Sequence, residues 1–306
     1  MVSNKMTTTS QPKVAVLLAA YNGEKFISYQ LESILAQEEV AITIYISIDK
    51  STDATKKIVE DYIKKKSNIF LLDYGKRFGS AGKNFYRLIK EVNIDNFEYI
   101  SFADQDDYWM PCKLKNAITT LTNTSSSCYS SDVIAFWPDK KIKKPIKKSF
   151  PQKKFDYLFE AAGPGCTYVL NKEFFRPLQL FIEQNSSQIE NFAMHDWFIY
   201  AFARSRKFKW TISNQADILY VQHASNVVGA NTGINAYKKR FKQLASGEWL
   251  HECEKLFNII YKKENTGYNH GFLRFSIINF NELRRRKIDR YILIAFLFLK
   301  FIKNEN

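Results

Sequence analysis

The chain has 306 residues, 45% of them apolar, and 45 Lys and Arg against 31 Asp and Glu give a formal charge of +14 and a pI near 9.4. This is the composition of an ordinary globular protein with a real core, in one large domain or one domain with an appendage, and its basic balance favours polyanionic partners: nucleic acid, anionic lipid or phosphorylated substrates. No stretch reaches the roughly 18 apolar residues of a membrane span, which excludes a spanning protein.

Residues 1–11 read as a disordered polar start without a targeting signal, because the apolar run Val14 to Ala20 is too short for a signal core and reads as a first buried strand. The turn Tyr21-Asn22-Gly23 leads into a helix carrying Phe26, Leu31, Ile34 and Leu35 on one side. Ile42, Ile44, Ile46 and Ile48 alternate as a second strand, which ends at Asp49-Lys50-Ser51-Thr52-Asp53, a run suited to capping a helix that reaches about Lys66. A third strand, Ile69 to Leu72, precedes the glycine-containing stretch Gly75 to Gly82 and a helix from Asn84 to about Val92. Strands alternating with helices predict an α/β fold with a mostly parallel sheet. The four cysteines, Cys112, Cys128, Cys166 and Cys253, lack paired metal-ligand or redox spacing and read as reduced thiols of a cytoplasmic protein.

The apolar segment Tyr99 to Ala103 runs straight into Asp104-Gln105-Asp106-Asp107-Tyr108-Trp109, three carboxylates within four residues at the end of a buried strand. Such packed oxygens suit a hard divalent cation, Mg²⁺ or Mn²⁺, and a cation there can grip a diphosphate. A solvated acidic turn is the blander alternative. Ligands of open α/β sheets sit beyond the carboxyl ends of strands, and here Tyr21-Asn22, Asp49 and the Asp104 cluster mark three such ends, which implies a nucleotide pocket.

The ordered set Leu17-Leu18-Ala19-Ala20-Tyr21-Asn22-Gly23, Asp49-Lys50-Ser51-Thr52-Asp53 and Asp104-Gln105-Asp106-Asp107 resembles family 2 glycosyltransferases. Further on, Gly165-Cys166-Thr167, Met194-His195-Asp196-Trp197 and Tyr220-Val221-Gln222-His223 with Asn226-Val227-Val228-Gly229 are similar to its bacterial rhamnosyltransferase-like branch. The resemblance implies a GT-A fold, Rossmann-like, with a catalytic domain over residues 12–235 and a helical, basic and apolar C-terminal extension over 236–306. It implies an inverting, metal-dependent glycosyltransferase that moves a sugar from a nucleotide-diphosphate donor to a saccharide or lipid-linked saccharide acceptor in cell-surface polysaccharide assembly. L-rhamnose from dTDP-rhamnose is the implied donor, with a UDP-hexose or UDP-N-acetylhexosamine as the alternative.

The resemblance places Ala20, Tyr21 and Asn22 at the nucleobase side, with Asp49 on the base, although a plain helix cap explains Asp49 equally well. Asp104 faces the ribose, and Asp106 holds Mg²⁺ or Mn²⁺, with His223 as a further ligand. Asp107 reads as second to these or as a helix cap. Asp196 is the general base and Trp197 a sugar-stacking residue, unless Trp197 is core beside Phe198, Tyr200 and Phe202. Gly165 and Cys166 form a tight loop near donor or acceptor sugar. The chain departs from the family pattern at Lys50, at Arg77 and at His195, where related sequences often carry a Gly or acidic residue, an Asn and a Glu.

Two basic features remain. Lys140 to Lys154, broken by Pro145 and Pro151, reads as a solvated loop able to meet anionic head groups or a lipid-linked diphosphate. Arg284-Arg285-Arg286-Lys287 beside Tyr291 to Leu299 reads either as a helix in the interface of an anionic membrane, at the inner face of the cell membrane, or as one docked on the catalytic domain or a second subunit. Two rival classes stand beside the enzyme: a nucleic-acid-binding protein, which leaves the acidic cluster unexplained, and a silent scaffold of degenerate transferase fold.

Overall fold

A computed structural model of the chain describes residues 10–223, 247–261 and 271–305. The expected disorder before residue 10 and the run Asn226 to Gly229 lie outside the described residues. Strands β1 (Lys13–Ala20), β2 (Ala41–Ile48), β3 (Ile69–Leu71) and β4 (Tyr99–Ala103) come from the first third of the chain. With β6 (Cys128–Ser131), β9 (Val169–Asn171) and β10 (Trp210–Ser213) they build a seven-stranded sheet in the order β10-β6-β9-β4-β1-β2-β3. All neighbours are parallel except β9, which runs antiparallel between β4 and β6.

Residues of β1 after Lys13 are all buried, as a central parallel strand covered on both faces requires. Their alternation divides two cores. Val14, Val16, Leu18 and Ala20 face α1 (Ile27–Leu35), α2 (Thr55–Ile63) and α4 (Lys113–Thr124), through Leu31, Ile34, Val59, Leu114 and Leu121. Ala15, Leu17 and Ala19 face α3 (Ala81–Glu91), α5 (Lys172–Gln184) and α7 (His195–Ser205), through Phe85, Leu88, Phe175 and Phe198. The short helix α6 (Ser186–Ile189) adds Ile189 to that second core.

The C-terminal helices α8 (Glu248–Tyr261), α9 (Phe272–Ile278) and α10 (Lys287–Glu305) do not form a separate body. Leu250, Cys253, Leu256, Phe257, Phe275, Leu293 and Leu297 belong to the same buried cluster as Phe198 and Tyr200. The other side of α10 stays open, with Ile288 56% and Tyr291 66% exposed. The helix expected from the basic and apolar tail is therefore docked on one face and unpartnered at those residues on the other. Among the described residues no helix is long and apolar enough to cross a membrane.

A second sheet stands at the carboxyl end of β4 and has the order β5-β11-β7-β8, where β5 is Tyr108–Trp109, β7 Val133–Trp137, β8 Ile142–Ile146 and β11 Ile218–Val221. Here the lysine-rich stretch differs from the expected loop. Ile142 to Ile146 pairs antiparallel with β7 as an outer strand, the position that tolerates both exposed lysines and the missing N–H of Pro145.

The start of α3 is set by Ser80, whose Oγ accepts the Lys83 N–H at 3.3 Å, so the helix begins three residues before the expected Asn84. Gly82, the second residue of α3, abuts the backbone before α7: a Cβ there would stand 2.1 Å from the Ala193 carbonyl oxygen. Gly82→Ala should therefore lower stability by about 1–3 kcal/mol through overpacking against backbone, whereas Gly271→Ala, which meets nothing within 4 Å, should be near neutral; chemical denaturation of both variants checks this.

Candidate active site

Three loops at the carboxyl ends of β1, β2 and β4 are laced together by side chains that imitate backbone. Gln105 accepts the Tyr21 N–H at 2.8 Å and returns its own Nε2–H to the Tyr21 carbonyl at 2.9 Å, which joins the end of β4 to the end of β1. Gly23 makes room for it, since a Cβ there would fall 2.2 Å from Gln105 Oε1. Asn22 sits at φ +46° and accepts the Thr52 N–H at 2.9 Å, while its own N–H donates to Ser51 Oγ at 3.0 Å. These contacts make Asn22 and Gln105 the rivets of the crevice. Gln105 was hidden in sequence because it reads as a spacer within the acidic run.

Asp49 is buried and does not cap α2. Its Oδ1 accepts the N–H groups of Lys50 and Phe78, both at 2.8 Å, and its Oδ2 accepts that of Gly79 at 2.8 Å. Asp53 does the local work expected of a cap, accepting the Thr55 N–H at 3.0 Å and the Glu24 N–H at 3.0 Å. The backbone carbonyl of Ala20 receives Asp49 N–H at 2.8 Å and Asn84 Nδ2 at 3.3 Å, so Ala20 and Asp49 meet at one wall where Tyr21 is 45% exposed.

The second sheet brings the downstream histidine back. Strand β5 pairs antiparallel with β11, Trp109 opposite Ile218 and Tyr108 opposite Leu219. Continuing that pairing in both directions returns the segment after β11 to the acidic run. Asp107 Oδ1 accepts the Val221 N–H at 3.3 Å, and His223 Nε2 lies 2.8 Å from Asp106 Oδ2. The His223 ring also stacks on Phe26, centroids 4.3 Å apart. Asp107 is thus a crevice residue rather than the expected helix cap; α4 begins after Cys112 instead.

Burial and mutual repulsion dominate the electrostatics. Asp104 is pushed up to about 7 by loss of solvent and then by the charges of Asp106 and Asp196. Asp106 is raised by burial, with His223 pulling the other way. Burial likewise drives Asp107 well upward, helped by the charges of Asp106 and Asp104. Asp196, in the first turn of α7, is pushed up to about 6 by burial, although the Trp197 N–H at 2.8 Å and the Lys148 charge favour its ionised form. Asp104 thus lies within electrostatic reach of both Asp106 and Asp196.

A divalent cation fits this donor set. Asp106 and His223 offer a carboxylate oxygen and an imidazole nitrogen, each side chain 15% exposed, and such hard oxygen and nitrogen donors beside further carboxylates suit Mg²⁺ or Mn²⁺. A second cluster, Asp104, Asp107 and Cys166, has ligand atoms within 4.8 Å of one another. Its thiol is nevertheless 1% exposed and held protonated by burial and by Asp107. Asp106 with His223 is the better placed pair for a diphosphate arriving from solvent.

Other expected residues turn inward. Trp197 is 2% exposed; its indole N–H donates to the Tyr157 carbonyl at 2.8 Å and its ring packs near Phe192 and Trp249, which makes it core rather than a sugar platform. Cys166 is likewise closed to solvent, its thiol set against Asp104 and Asp107 from within the protein. Gly165 is needed for closeness to protein: a Cβ would stand 2.8 Å from His195 Nε2 and 3.2 Å from Asp196 Cβ. His195 stacks on Phe85 at 4.0 Å and is kept neutral by burial, which lowers it to about 3.

The class of protein follows from this architecture. Residues 15–178 match the glycosyl transferase family 2 model, more than half of the chain, and the chain belongs to that family. It is 42% identical over 287 residues to the dTDP-rhamnosyl transferase RfbG of Shigella flexneri, covering 92% of this chain and 99% of that one. It is 36% identical over 105 residues to the Escherichia coli UDP-Glc:alpha-D-GlcNAc-diphosphoundecaprenol beta-1,3-glucosyltransferase WfaP, covering 34% of this chain and 39% of that one. The fold is GT-A, shared at 14% identity and a TM-score of 0.51 with the Pyrobaculum calidifontis mannosyltransferase PcManGT in complex with GDP-Man and Mn²⁺, over 97% of this chain and 88% of that one. Staphylococcus aureus TarS in complex with UDP gives 18% identity and a TM-score of 0.50, over 86% and 75%.

In the metal-free protein the Asp196 carboxyl should lose its proton near pH 6 and that of Asp104 near pH 7, against an ordinary 3.8. Carboxyl ¹³C NMR titration, with Asp196→Asn and Asp104→Asn to assign the resonances, measures both; titration of either group near 4 would contradict the buried crevice.

Proposed function

We propose that this glycosyltransferase transfers L-rhamnose, with inversion, from dTDP-rhamnose to a saccharide or lipid-linked saccharide acceptor in cell-surface polysaccharide assembly. Two supports are distinct. The contact of His223 with Asp106, together with the charges of Asp106 and Asp196 both acting on Asp104, carries the chemistry, and the likeness to RfbG over 92% of the chain supports the donor.

In this reading Asp106 and His223 would hold Mg²⁺ or Mn²⁺, which would supply positive charge to offset that growing on the departing diphosphate. Ala20, Tyr21, Asn22 and Asp49 form the nucleobase wall, and Asp104 faces the ribose. Among the described residues Asp49 Oδ2 accepts the Gly79 N–H alone, which leaves it acceptor capacity for a base N–H. Asp196 takes the proton of the acceptor hydroxyl as that oxygen bonds to the anomeric carbon and the bond to the diphosphate breaks. A carboxylate raised to about 6 is ionised at neutral pH and more basic than an ordinary one, which suits a general base. Gly165 and Cys166 contribute shape by letting their loop lie against Asp196.

The rate should rise with pH through about 6 and then level, because the ionised form of Asp196 is the active one. Asp196→Asn should cut kcat by about 10²–10⁴ while leaving Mn²⁺-dependent dTDP binding within twofold. Asp106→Asn should weaken that binding at least about tenfold. Calorimetric titration with dTDP and Mn²⁺, beside turnover of dTDP-rhamnose, separates the two roles. Saturating dTDP with Mn²⁺ should also raise Tm more than UDP does, and the reverse order would favour a UDP-sugar donor.

We further assign the open side of α10 to peripheral contact with an anionic membrane at the cytoplasmic face. Ile288, Tyr291 and Ile292 are exposed beside Arg286 and Arg290, an apolar stripe flanked by cations. Ile288→Ser with Tyr291→Ser should abolish co-sedimentation with phosphatidylglycerol vesicles at unchanged Tm, and equal binding to neutral phosphatidylcholine vesicles would remove the electrostatic part of this assignment.

A further inference from the structure

The extension reaches the catalytic crevice through two arginines. Arg284 and Arg285 lie between α9 and α10, and both turn into the protein against residues 156–162, the segment that runs directly into the Gly163 to Thr167 loop. Arg285 is 8% exposed. Its backbone N–H donates to Glu160 Oε1 at 2.7 Å and its Nη2 to Glu160 Oε2 at 3.2 Å. Nη2 also donates to the Ala161 carbonyl, Nη1 reaches that of Ala162 at 3.5 Å, and Nε lies 3.7 Å from Asp156. Arg284 adds a bond from Nη1 to the Phe159 carbonyl at 2.7 Å.

The same segment is held from its other side by the helix that carries Asp196. Asp156 is fully buried and accepts the Tyr200 hydroxyl at 3.0 Å and Arg204 Nη1 at 3.2 Å, while the Tyr157 carbonyl accepts the Trp197 indole N–H. Asp196, Tyr200 and Arg204 are spaced four apart, on one side of α7. Downstream, the Tyr168 hydroxyl lies 3.2 Å from the Gly163 carbonyl and 3.3 Å from that of Asp196. Residues 156–165 therefore form a strap pinched between the arginines and α7, with its glycine end laid on Asp196.

We propose that Arg285, seconded by Arg284, is a positioning residue for glycosyl transfer: it fixes the strap, and through it sets the place of Asp196 and of the Gly163 to Cys166 loop relative to the donor. This rests on the assignment of Asp196 as base. A flexible ammonium cannot reproduce the grip, because the planar guanidinium addresses two carboxylates and two carbonyls at once. The metal pair, Asp106 after β4 and His223 after β11, is carried by segments other than the strap, so the inference separates transfer from metal-dependent nucleotide binding.

The test uses the full-length chain with Arg285→Lys and Glu160→Gln, each measured for dTDP binding with Mn²⁺, for kcat per dTDP-binding site with dTDP-rhamnose, and for the pH at which the acidic limb of kcat falls. The expected result is dTDP affinity within twofold of the parent, kcat lower by at least tenfold, and an acidic limb displaced from that of the parent. A kcat per binding site within threefold of the parent in both variants would overturn the proposal. So would kcat and dTDP binding lost together, which marks a scaffold role for the whole fold. Asp196→Asn is run alongside: full activity in it defeats the base assignment itself, whereas an inactive Asp196→Asn with active Arg285→Lys defeats only the strap.

Discussion

The structure depends on keeping several carboxylates close together where water is scarce. Asp104, Asp106 and Asp107 leave β4 within four residues, and Asp196 arrives from the start of α7; each is raised by burial, and Asp104 also by its neighbours. A helix N-terminus ordinarily favours a carboxylate by about 0.3–1 kcal/mol, yet for Asp196 desolvation prevails and the shift is upward. Such a crevice is held open by the rest of the fold against its own repulsion. Gln105, Asn22 and Asp49 spend their hydrogen bonds on backbone, which ties three strand ends into a rigid rim. Lys113 lies beneath the cluster, fully buried, its Nζ donating to Ser101 Oγ at 2.9 Å over the Trp109 ring. It is a partial internal counter-charge: burial lowers it to about 7 while Asp107 and Asp217 pull it back up.

Much of this was legible from spacing. The period-two run of isoleucines gave β2, the unbroken apolar run gave β1, and the position of the acidic cluster after an apolar segment located the crevice. The parts that escaped share a physical cause. A residue such as Asp49 looks the same in sequence whether its carboxylate caps the following helix or reaches across to Phe78 and Gly79, because the partner lies 29 residues away. Trp197 carried two readings for the same reason, and the carbonyl of Tyr157 decided between them. The lysine-rich stretch hid β8 because an outer strand needs few apolar residues; its partner β7 supplies the pairing.

The departures from the family pattern at Lys50, Arg77 and His195 have different weights. Lys50 and Arg77 are exposed and leave the Asp49 tether intact, since that tether uses only backbone N–H groups at positions 50, 78 and 79. His195 is another matter: a buried, neutral ring against Phe85 fills the place where the resemblance leads one to expect a Glu. A neutral ring there spares the Asp196 carboxylate one more like-charged neighbour, and Gly165 accommodates the ring by having no side chain.

The basic run Arg284 to Lys287 shows why a charge cluster read in sequence has no single meaning. Arg284 and Arg285 turn into the protein, where the carboxylates of Glu160, Asp156 and Asp289 and three carbonyls receive them. Arg286, one residue on, is 40% exposed over Asp289. A run that looks like one patch is thus divided between an internal strap and an outer surface. Burying Arg285 without its partners would cost several kcal/mol, so its bonds to residues 156–162 are what let a helical extension share the catalytic core. The same chain segment that offers an apolar stripe to the outside is thereby coupled, through Glu160 and Asp156, to the helix that bears Asp196.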